Sequence, residues 1–261
     1  MTREGEFKSI GISAGVEAVG SGIGFILRTP ATWPWAAVPG MIMLVLLAGL
    51  CGLGIWGSAE FSASIFGHDR HTWGSIGYWL VTVLLAILSV LIAVIFALVL
   101  TEPLSAFALD KIVHAYEYKE IGHSPRSPPM LVMIWISIRA IGFGLLIGGL
   151  ALAILLVVNF FFPPAAIITV PLKFMVCSWM LAWSLIDYPM VQRRLGIRER
   201  ARWIARHFWA FTAFGMAWAA IAVVPGVVLV LLPMGVAGAT DLVLRDDPRE
   251  SQIRADRGGG Q

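Results

Sequence analysis

A lysine within an apolar run is the residue of this chain whose type and setting most suggest chemistry. Lys173 is the only charge in the stretch 165–186, which is long enough to enter a membrane. A charge within a span is costly unless its side chain extends to the surface, pairs with a partner or faces water. Two interpretations therefore stay open: a lysine that reaches the outer membrane surface or pairs with a carbonyl, and a cation that lines a path for anions.

Three other polar residues lie in or beside apolar runs. Arg139 lies nearer to an interface, so contact with the membrane surface is the simpler explanation for it. Asn159 is close to a predicted helix end, where we expect it to pack with a hydrogen bond. Asp187 lies at the inner edge of its span, and we expect it to pair with a neighbouring arginine.

Sequence motifs of enzymes and metal sites give no positive signal. Residues 11–15 match the G-x-S-x-G pattern of a nucleophile elbow, but no strand precedes them, so the match is by chance. His68 and His71, with Asp69 between them, are only a weak indication of a metal site. Because no phosphate-binding or dinucleotide-binding motif is present either, the sequence predicts no enzyme, metal or cofactor.

The composition places these residues in a membrane protein. The 261 residues are 58% hydrophobic and 13% charged, and the mean hydropathy is +0.82. Long apolar runs produce such values, and soluble domains of this size do not. Residues 78–100 carry no charge and are long enough to cross a bilayer alone. Since the apolar runs are continuous and not alternating, we predict an all-α integral membrane protein.

We predict a single polytopic membrane domain over residues 1–245, with about six apolar helical segments and amphipathic interfacial helices. Small residues are expected to bring helices close together, Gly11 with Gly15 and Gly144 with Gly148. In chain order the predicted parts are an interfacial or packed helix at 1–30, spans at 33–57, 73–100, 140–162 and 165–186, an amphipathic surface helix at 103–121, a bent hairpin at 208–244 and a disordered tail at 246–261.

The hairpin at 208–244 is the element that must position any site near the carboxyl end. Pro225 and Gly226 break it into two arms, each about 25 Å or less against a hydrocarbon core of about 30 Å. Broken backbone at that depth needs shelter from protein or from a water-filled cavity. Two slightly short spans in a thin bilayer are the alternative, and the sequence leaves both open.

The distribution of positive charge predicts the orientation. With the amino terminus inside, all lysines and arginines except Arg70 and Lys173 fall on the inner side, so both termini are predicted to be cytoplasmic. The most basic segment lies beside a span, which favours anionic lipid headgroups over nucleic acid as its partner. Its members are Arg193, Arg194, Arg198, Arg200, Arg202 and Arg206.

One set of motif residues lies from position 187 onward. Its members are Asp187, Tyr188 and Pro189, then Phe214 and Gly215, Pro225, Pro233, and the block 236–240 with Gly238 and Thr240. This set resembles the CysZ-type sulfate permeases, which are related to the etoposide-induced proteins of eukaryotes. Upstream, Pro30, Pro39 and Pro103 fit the proline spacing of that family, so the similarity covers nearly the whole chain.

This resemblance implies a bacterial inner-membrane protein that passes sulfate inward for cysteine biosynthesis. It also implies a homo-oligomer with half-penetrating helical hairpins, which favours a hairpin that dips into the bilayer. The chain departs from the family at three places. Trp33 and Pro34 replace a basic pair suited to sulfate, Leu104 and Ser105 replace a Phe-Asn pair, and Val228 replaces an asparagine.

An anion path of the implied kind needs cations and backbone N–H donors at helix starts. With the basic pair replaced, the candidates are Arg28, Ala31, Arg139, Lys173 and Gly226. The chain has no motif for ATP, so transport would be passive or coupled to an ion. A non-transporting membrane scaffold or lipid-interacting protein of the same fold is the alternative function.

Overall fold

The computed structural model describes residues 10–66, 72–124, 129–224 and 227–246, and over these ranges all regular structure is helical. Four helical stretches, Pro30–Ile65, Ile76–Ile121, Gly142–Phe161 and Pro163–Gln192, are long and apolar enough to cross a membrane. The predicted all-α membrane fold is confirmed. The helices are α1 (Ile12–Arg28), α2 (Trp33–Phe66), α3 (Thr72–Ile121), α4 (Met130–Phe161), α5 (Ala166–Gln192), α6 (Ile197–Arg206), α7 (Phe208–Ala222) and α8 (Val228–Leu244).

The chain divides into two compact units, Val38–Ser105 and Met1–Ala37 with Ala106–Gln261, and each is described by itself. In the first unit, Gly54 approaches Ser89 so closely that an added Cβ would lie 2.7 Å from the serine Cβ. Ser58 Oγ lies 3.4 Å from Ser89 Oγ at the same place. Small residues therefore bring α2 and α3 together within this unit. The single domain predicted over 1–245 stays a prediction.

The long helices extend beyond the predicted spans. Helix α2 continues past residue 57 to Phe66, α4 begins at Met130 before the predicted start at 140, and α5 continues past residue 186 to Gln192. Helix α3 joins the predicted span and the predicted surface helix into one 50-residue helix with Pro103 inside it. Proline is tolerated within membrane helices because neighbouring groups compensate the lost bond, so Pro103 does not start a new helix.

Two carboxylates on the acidic face of α3 are buried, and the position of residues 103–121 along the membrane surface stays a prediction. Leu104 and Phe107, expected to face the apolar side, are exposed, whereas Asp110 and Glu117 are buried. A single amphipathic pattern cannot show whether its polar face meets water or buried partners of opposite charge. The second half of α3 therefore packs its carboxylates into the larger unit.

Helix α1 packs between α7 and α8, as the packed interpretation expects, and its place at the membrane interface stays a prediction. A Cβ on Gly15 would overlap the Ala210 carbonyl, and one on Gly22 would lie 2.5 Å from the Gly238 amide N. These glycines allow backbones to touch. Gly11, the predicted partner of Gly15, has open space around it, and the close-approach pair is Gly15 with Gly22.

Two further contacts build the core of the larger unit. An added Cβ on Gly144 would lie 3.1 Å from the Trp183 ring, and Gly148 lies against Met180, which confirms the tight packing predicted for this glycine pair. Helices α7 and α8 have 15 and 17 residues, about 22 and 25 Å. Phe214 and Trp218 of α7 are fully buried, so protein covers this face of the first arm, and the bent hairpin at 208–244 stays a prediction.

Candidate functional site

A buried ion pair joins the end of α5 to α6. Asp187 and Arg200 form this pair, and their side chains are 6% and 2% exposed. The predicted pairing of Asp187 with a neighbouring arginine is confirmed. Burial lowers the pKa of Arg200 to about 10, so the guanidinium stays charged at neutral pH. Arg200 therefore cannot serve as the headgroup contact that the sequence predicted.

A second pair joins α3 to the end of α5. Glu117 is completely buried and lies 3.0 Å from Arg193, while Ser124 Oγ donates a 2.5 Å hydrogen bond to its other carboxylate oxygen. Two turns earlier on α3, Asp110 accepts a 2.8 Å hydrogen bond from Gln192. Arg193, like Arg200, thus contributes to the fold and is removed from the predicted lipid-facing set.

A third cluster ties α8 to α3 and α1. Asp241 is fully buried and accepts hydrogen bonds from Tyr116 at 3.0 Å and from Arg245 at 3.0 Å. Arg245 also pairs with Glu17 of α1 at 2.6 Å. A buried carboxylate is stable only when opposite charge and hydrogen bonds compensate its lost hydration. Asp187, Glu117 and Asp241 each have an arginine partner of this kind.

A polar cleft lies beside these charged clusters, between α1 and the second half of α3. It has a volume of about 370 Å³ and holds two exposed cations, Arg28 and Lys119. Lys119 Nζ lies 5.2 Å from the Phe25 ring centre, a distance at which an aromatic face attracts a cation. The residues that line the cleft are Gly20, Ser21, Gly24, Phe25, Arg28, Tyr116, Lys119 and Glu120.

The chemistry of this cleft suits a small oxyanion. A guanidinium and an ammonium make charge-assisted hydrogen bonds to anionic oxygens, and the Ser21 hydroxyl offers a further donor. Gly20 and Gly24 have no heavy atoms within 4 Å of an added Cβ, so they leave the cleft open. The Glu120 carboxylate lines the same cleft and reduces its net positive charge.

Sequence reasoning found Arg28 but missed Lys119 and Ser21. Tyr116, Lys119 and Glu120 are spaced three and four residues apart, which places them on one face of α3. That spacing could have been read from the sequence. The pairing of this face with Arg28 could not be read in that way, because 90 residues of chain lie between Arg28 and Lys119.

The two positions at which the family carries a basic pair have a different role in this chain. Ala31 lies in the short 3₁₀ turn Pro30–Thr32 directly after α1. The Trp33 indole, at one position of the pair, donates a 2.9 Å hydrogen bond to the Ile26 carbonyl near the end of α1. Such a bond satisfies a carbonyl that a helix end leaves without an intrahelical partner. This corner therefore closes a helix with an uncharged group.

The structure places the other predicted cations away from the cleft. Lys173 is half-buried and lines a separate apolar cavity of about 470 Å³ with Asn159, Phe160 and Phe161. Asn159 accepts a hydrogen bond from Thr169, as expected for a packed residue near a helix end. Arg139 is exposed on α4. Gly226 and Pro225 lie outside the described residues.

The remaining positions that carry the family resemblance lie in helix contacts. Pro189 and Pro233 are inside α5 and α8, and Tyr188 is buried. An added Cβ on Gly238 would lie 2.6 Å from the Ala18 carbonyl, and Thr240 Oγ donates a 2.8 Å hydrogen bond to the Val236 carbonyl. His68 and His71 lie outside the described part of the chain, within which no cluster of three potential metal ligands occurs.

Comparison with known proteins identifies relatives of this architecture. Proteins named sulfate transporter CysZ are similar to part of the chain. One from Pseudomonas paraeruginosa is 35% identical over 103 residues, 39% of this chain and 42% of that protein. One from Pectobacterium atrosepticum is 34% identical over 91 residues, 34% of this chain and 33% of that protein. The aligned parts thus span less than half the length of these relatives.

A family model covers much more of the chain. The model described as sulfate transporter CysZ/etoposide-induced protein 2.4 matches residues 18–233. This range contains α1 from Ala18 onward, all of α2 to α7, and α8 as far as Pro233. It includes both walls of the polar cleft and the Asp187–Arg200 pair. The chain therefore belongs to the sulfate transporter CysZ/etoposide-induced protein 2.4 family.

Proposed function

We propose that this protein carries sulfate, or a related inorganic anion, inward across a bacterial inner membrane and so supplies cysteine biosynthesis. The observation that carries the proposal is the polar cleft in which Arg28 and Lys119 meet, in a chain whose relatives are named sulfate transporters. That family membership does not favour the alternative of a non-transporting scaffold. The protein acts in transport and not in catalysis.

The cleft serves as an anion-binding station on the cytoplasmic side. Arg28 and Lys119 belong to the positive charges that the orientation rule places inside. Moving a negative charge inward against an inside-negative potential costs about 2.3 kcal/mol per charge per 100 mV. Transport is therefore passive, with consumption of sulfate drawing the flux, or coupled to an ion. Two cations at the inner end lower the energy of the arriving dianion.

Other predicted residues have roles along the same route. Lys173, seven residues into α5, lies about 10 Å from the start of that helix and attracts anions near the outer surface. Backbone N–H groups at Ala31 and Gly226 and the side chain of Arg139 provide further contacts. The hairpin at 208–244 dips into the bilayer from the inside, and both termini are cytoplasmic.

The decisive experiment measures labelled-sulfate uptake in a bacterium that lacks its own sulfate uptake, alongside sulfate binding to detergent-purified protein. Arg28→Gln and Lys119→Gln are expected to weaken binding and slow uptake. Lys111→Gln is the matched control, since Lys111 is also exposed on α3 and also lies over a phenylalanine ring, 5.4 Å from the centre of Phe107, but does not line the cleft.

Two outcomes would overturn the proposal. Uptake that Arg28→Gln and Lys119→Gln leave at the level of Lys111→Gln would exclude the cleft from the route. Reconstituted vesicles that stay tight to sulfate, phosphate and chloride would exclude transport altogether. Phosphate and chloride serve as competitors in the binding titration and so identify the preferred anion.

We also propose that the exposed part of the basic segment contacts anionic lipid headgroups and that the protein forms a homo-oligomer. With Arg193 and Arg200 engaged in internal pairs, the arginines on the surface are Arg194, Arg198, Arg202 and Arg206. Juxtamembrane cations of this kind gain about 1 kcal/mol each near an anionic surface.

A further inference from the structure

An apolar groove runs between α4, α5 and the two following helices. Its volume is about 460 Å³, and its lining is formed by apolar side chains and glycines. Ile147 and Gly148 of α4 and Trp179 and Trp183 of α5 form one part, while Ala201 and Ala205 of α6 form another. The groove thus connects two membrane-spanning helices with the arginine-rich helix.

The edge of this groove along α6 is cationic. Arg198 precedes Ala201 by three residues and Arg202 precedes Ala205 by three, so both arginines neighbour the groove-lining alanines on one helix face. Both side chains are exposed. The opposite side of α6 is fixed by the buried residues Arg200 and Trp203. The orientation of α6 therefore places two positive charges at the edge of the apolar groove.

This combination fits one molecule of the bilayer. We propose that the groove holds an acyl chain of an anionic phospholipid whose phosphate contacts Arg198 and Arg202. This inference rests on the proposed function, in which the exposed arginines of the basic segment contact anionic lipid headgroups. A second copy of the chain fits less well, because a two-fold contact through this face would bring the same arginines of both copies together.

The test uses full-length protein in detergent and counts bound lipid by native mass spectrometry. Phosphatidylglycerol and phosphatidylcholine with identical acyl chains are titrated separately, together with inorganic phosphate as a competitor. The expected result is one tightly held phosphatidylglycerol per chain, with phosphatidylcholine weaker by about tenfold or more. Inorganic phosphate that displaces the lipid completely would show that the acyl chain contributes nothing, and would overturn the proposal.

Variants separate the headgroup contact from the groove. Replacing both Arg198 and Arg202 with Gln is expected to weaken phosphatidylglycerol binding by about tenfold or more and leave phosphatidylcholine unchanged. Ala205→Phe fills the groove and is expected to weaken both lipids. Lys111→Gln is the control, because Lys111 is exposed on α3 and belongs neither to α6 nor to the lining of the groove. An equal loss in Lys111→Gln would reduce the effect to nonspecific charge and overturn the proposal.

Two further readouts complete the test. Ala205→Cys, combined with Cys51→Ser and Cys177→Ser, would form a disulfide between chains if a second copy occupied the groove, and that result would overturn the proposal. Sulfate binding by the cleft is measured on every variant. A variant that loses lipid binding but keeps sulfate binding shows an effect on the lipid site alone. An unaltered protein that binds the lipid but no sulfate would reject the anion cleft and leave the lipid site standing.

Discussion

Two groups of charged residues in the same helical unit differ in burial and in partners. Around the ends of α3, α5 and α8, the carboxylates Glu117, Asp187 and Asp241 are buried and paired with arginines. In the cleft, Arg28 and Lys119 are exposed and face a polar space of about 370 Å³. Buried pairs are strongly destabilising to break, and exposed cations contribute little to stability. The contrast separates charges that maintain the fold from charges available to a ligand.

The largest expected effect comes from breaking the most buried pair. Asp187→Ala leaves Arg200 charged and without its counterion in a site that is almost inaccessible to water, and we expect a loss of about 3–5 kcal/mol of stability. The measurement is thermal unfolding of the purified protein, followed by the fraction that remains monodisperse after heating. The double variant Asp187→Leu with Arg200→Leu is expected to regain most of the loss, because no unpaired charge remains. A single variant as stable as the unaltered protein would contradict a structural role for this pair.

A smaller loss is expected at the pair between α3 and α5. Glu117→Gln keeps the side-chain volume and the acceptor for Ser124 but removes the charge that faces Arg193. Because Arg193 retains a 3.2 Å hydrogen bond to the Pro189 carbonyl, we expect the free energy of unfolding to fall by only about 1–3 kcal/mol. The same thermal measurement checks it. Glu60→Gln, at an exposed carboxylate of α2, is the control and should have no measurable effect.

The cleft should respond in the opposite way, with affinity lost and stability kept. We expect Arg28→Gln to weaken sulfate binding about tenfold, equivalent to about 1.4 kcal/mol, because a charge-assisted hydrogen bond to the anion is removed. Its unfolding temperature should match that of the unaltered protein. A large loss of stability with unchanged sulfate affinity would place Arg28 in the structural group and remove the contrast.

The smallest effect concerns pH and the end of α8. Burial alone would raise the pKa of Asp246, but the hydrogen bonds from His207 and Trp203 and the charge of Arg206 hold it below its usual range. His207 Nε2 and Trp203 Nε1 each lie 2.8 Å from a carboxylate oxygen. A lowered pKa in the folded state means that the carboxylate stabilises the fold above its ordinary pKa of 3.8 and that this contribution is lost as the pH falls through the lowered value. Between pH 5 and pH 3, on the order of the range where an aspartate titrates, stability should fall less steeply in Asp246→Asn than in the unaltered protein. Identical slopes would contradict the assignment.

The fold followed from the sequence wherever a single segment carries its own signal. Continuous apolar runs predicted the long helices. The spacing of Gly144 and Gly148 predicted tight helix packing, and the structure shows that the partner is α5. Segment ends were less accurate, because helices that leave the bilayer continue as long as other helices cover them. The extension of α5 to Gln192, whose last residues are buried, is an example.

The candidate site was predicted only in part, because it depends on contacts between distant segments. Arg28 was identified by its charge, but its neighbour Lys119 became visible only when α1 and α3 were placed side by side. Likewise, the polar face of α3 seemed to require water until Arg193 and Gln192 were found against it. A hydrophobic pattern indicates which face differs from the rest and leaves the identity of the partner undetermined.

The hydrogen bond from the Trp33 indole to the Ile26 carbonyl makes the corner after α1 independent of ionic strength, since neither group is charged. Dissolved salt shortens the reach of the cations beside it to about 8 Å under physiological conditions, yet the helix end that carries Arg28 keeps its shape. Release of the proposed anion at this place would therefore not fray the helix end that carries Arg28, and this corner would need no refolding before the next binding event.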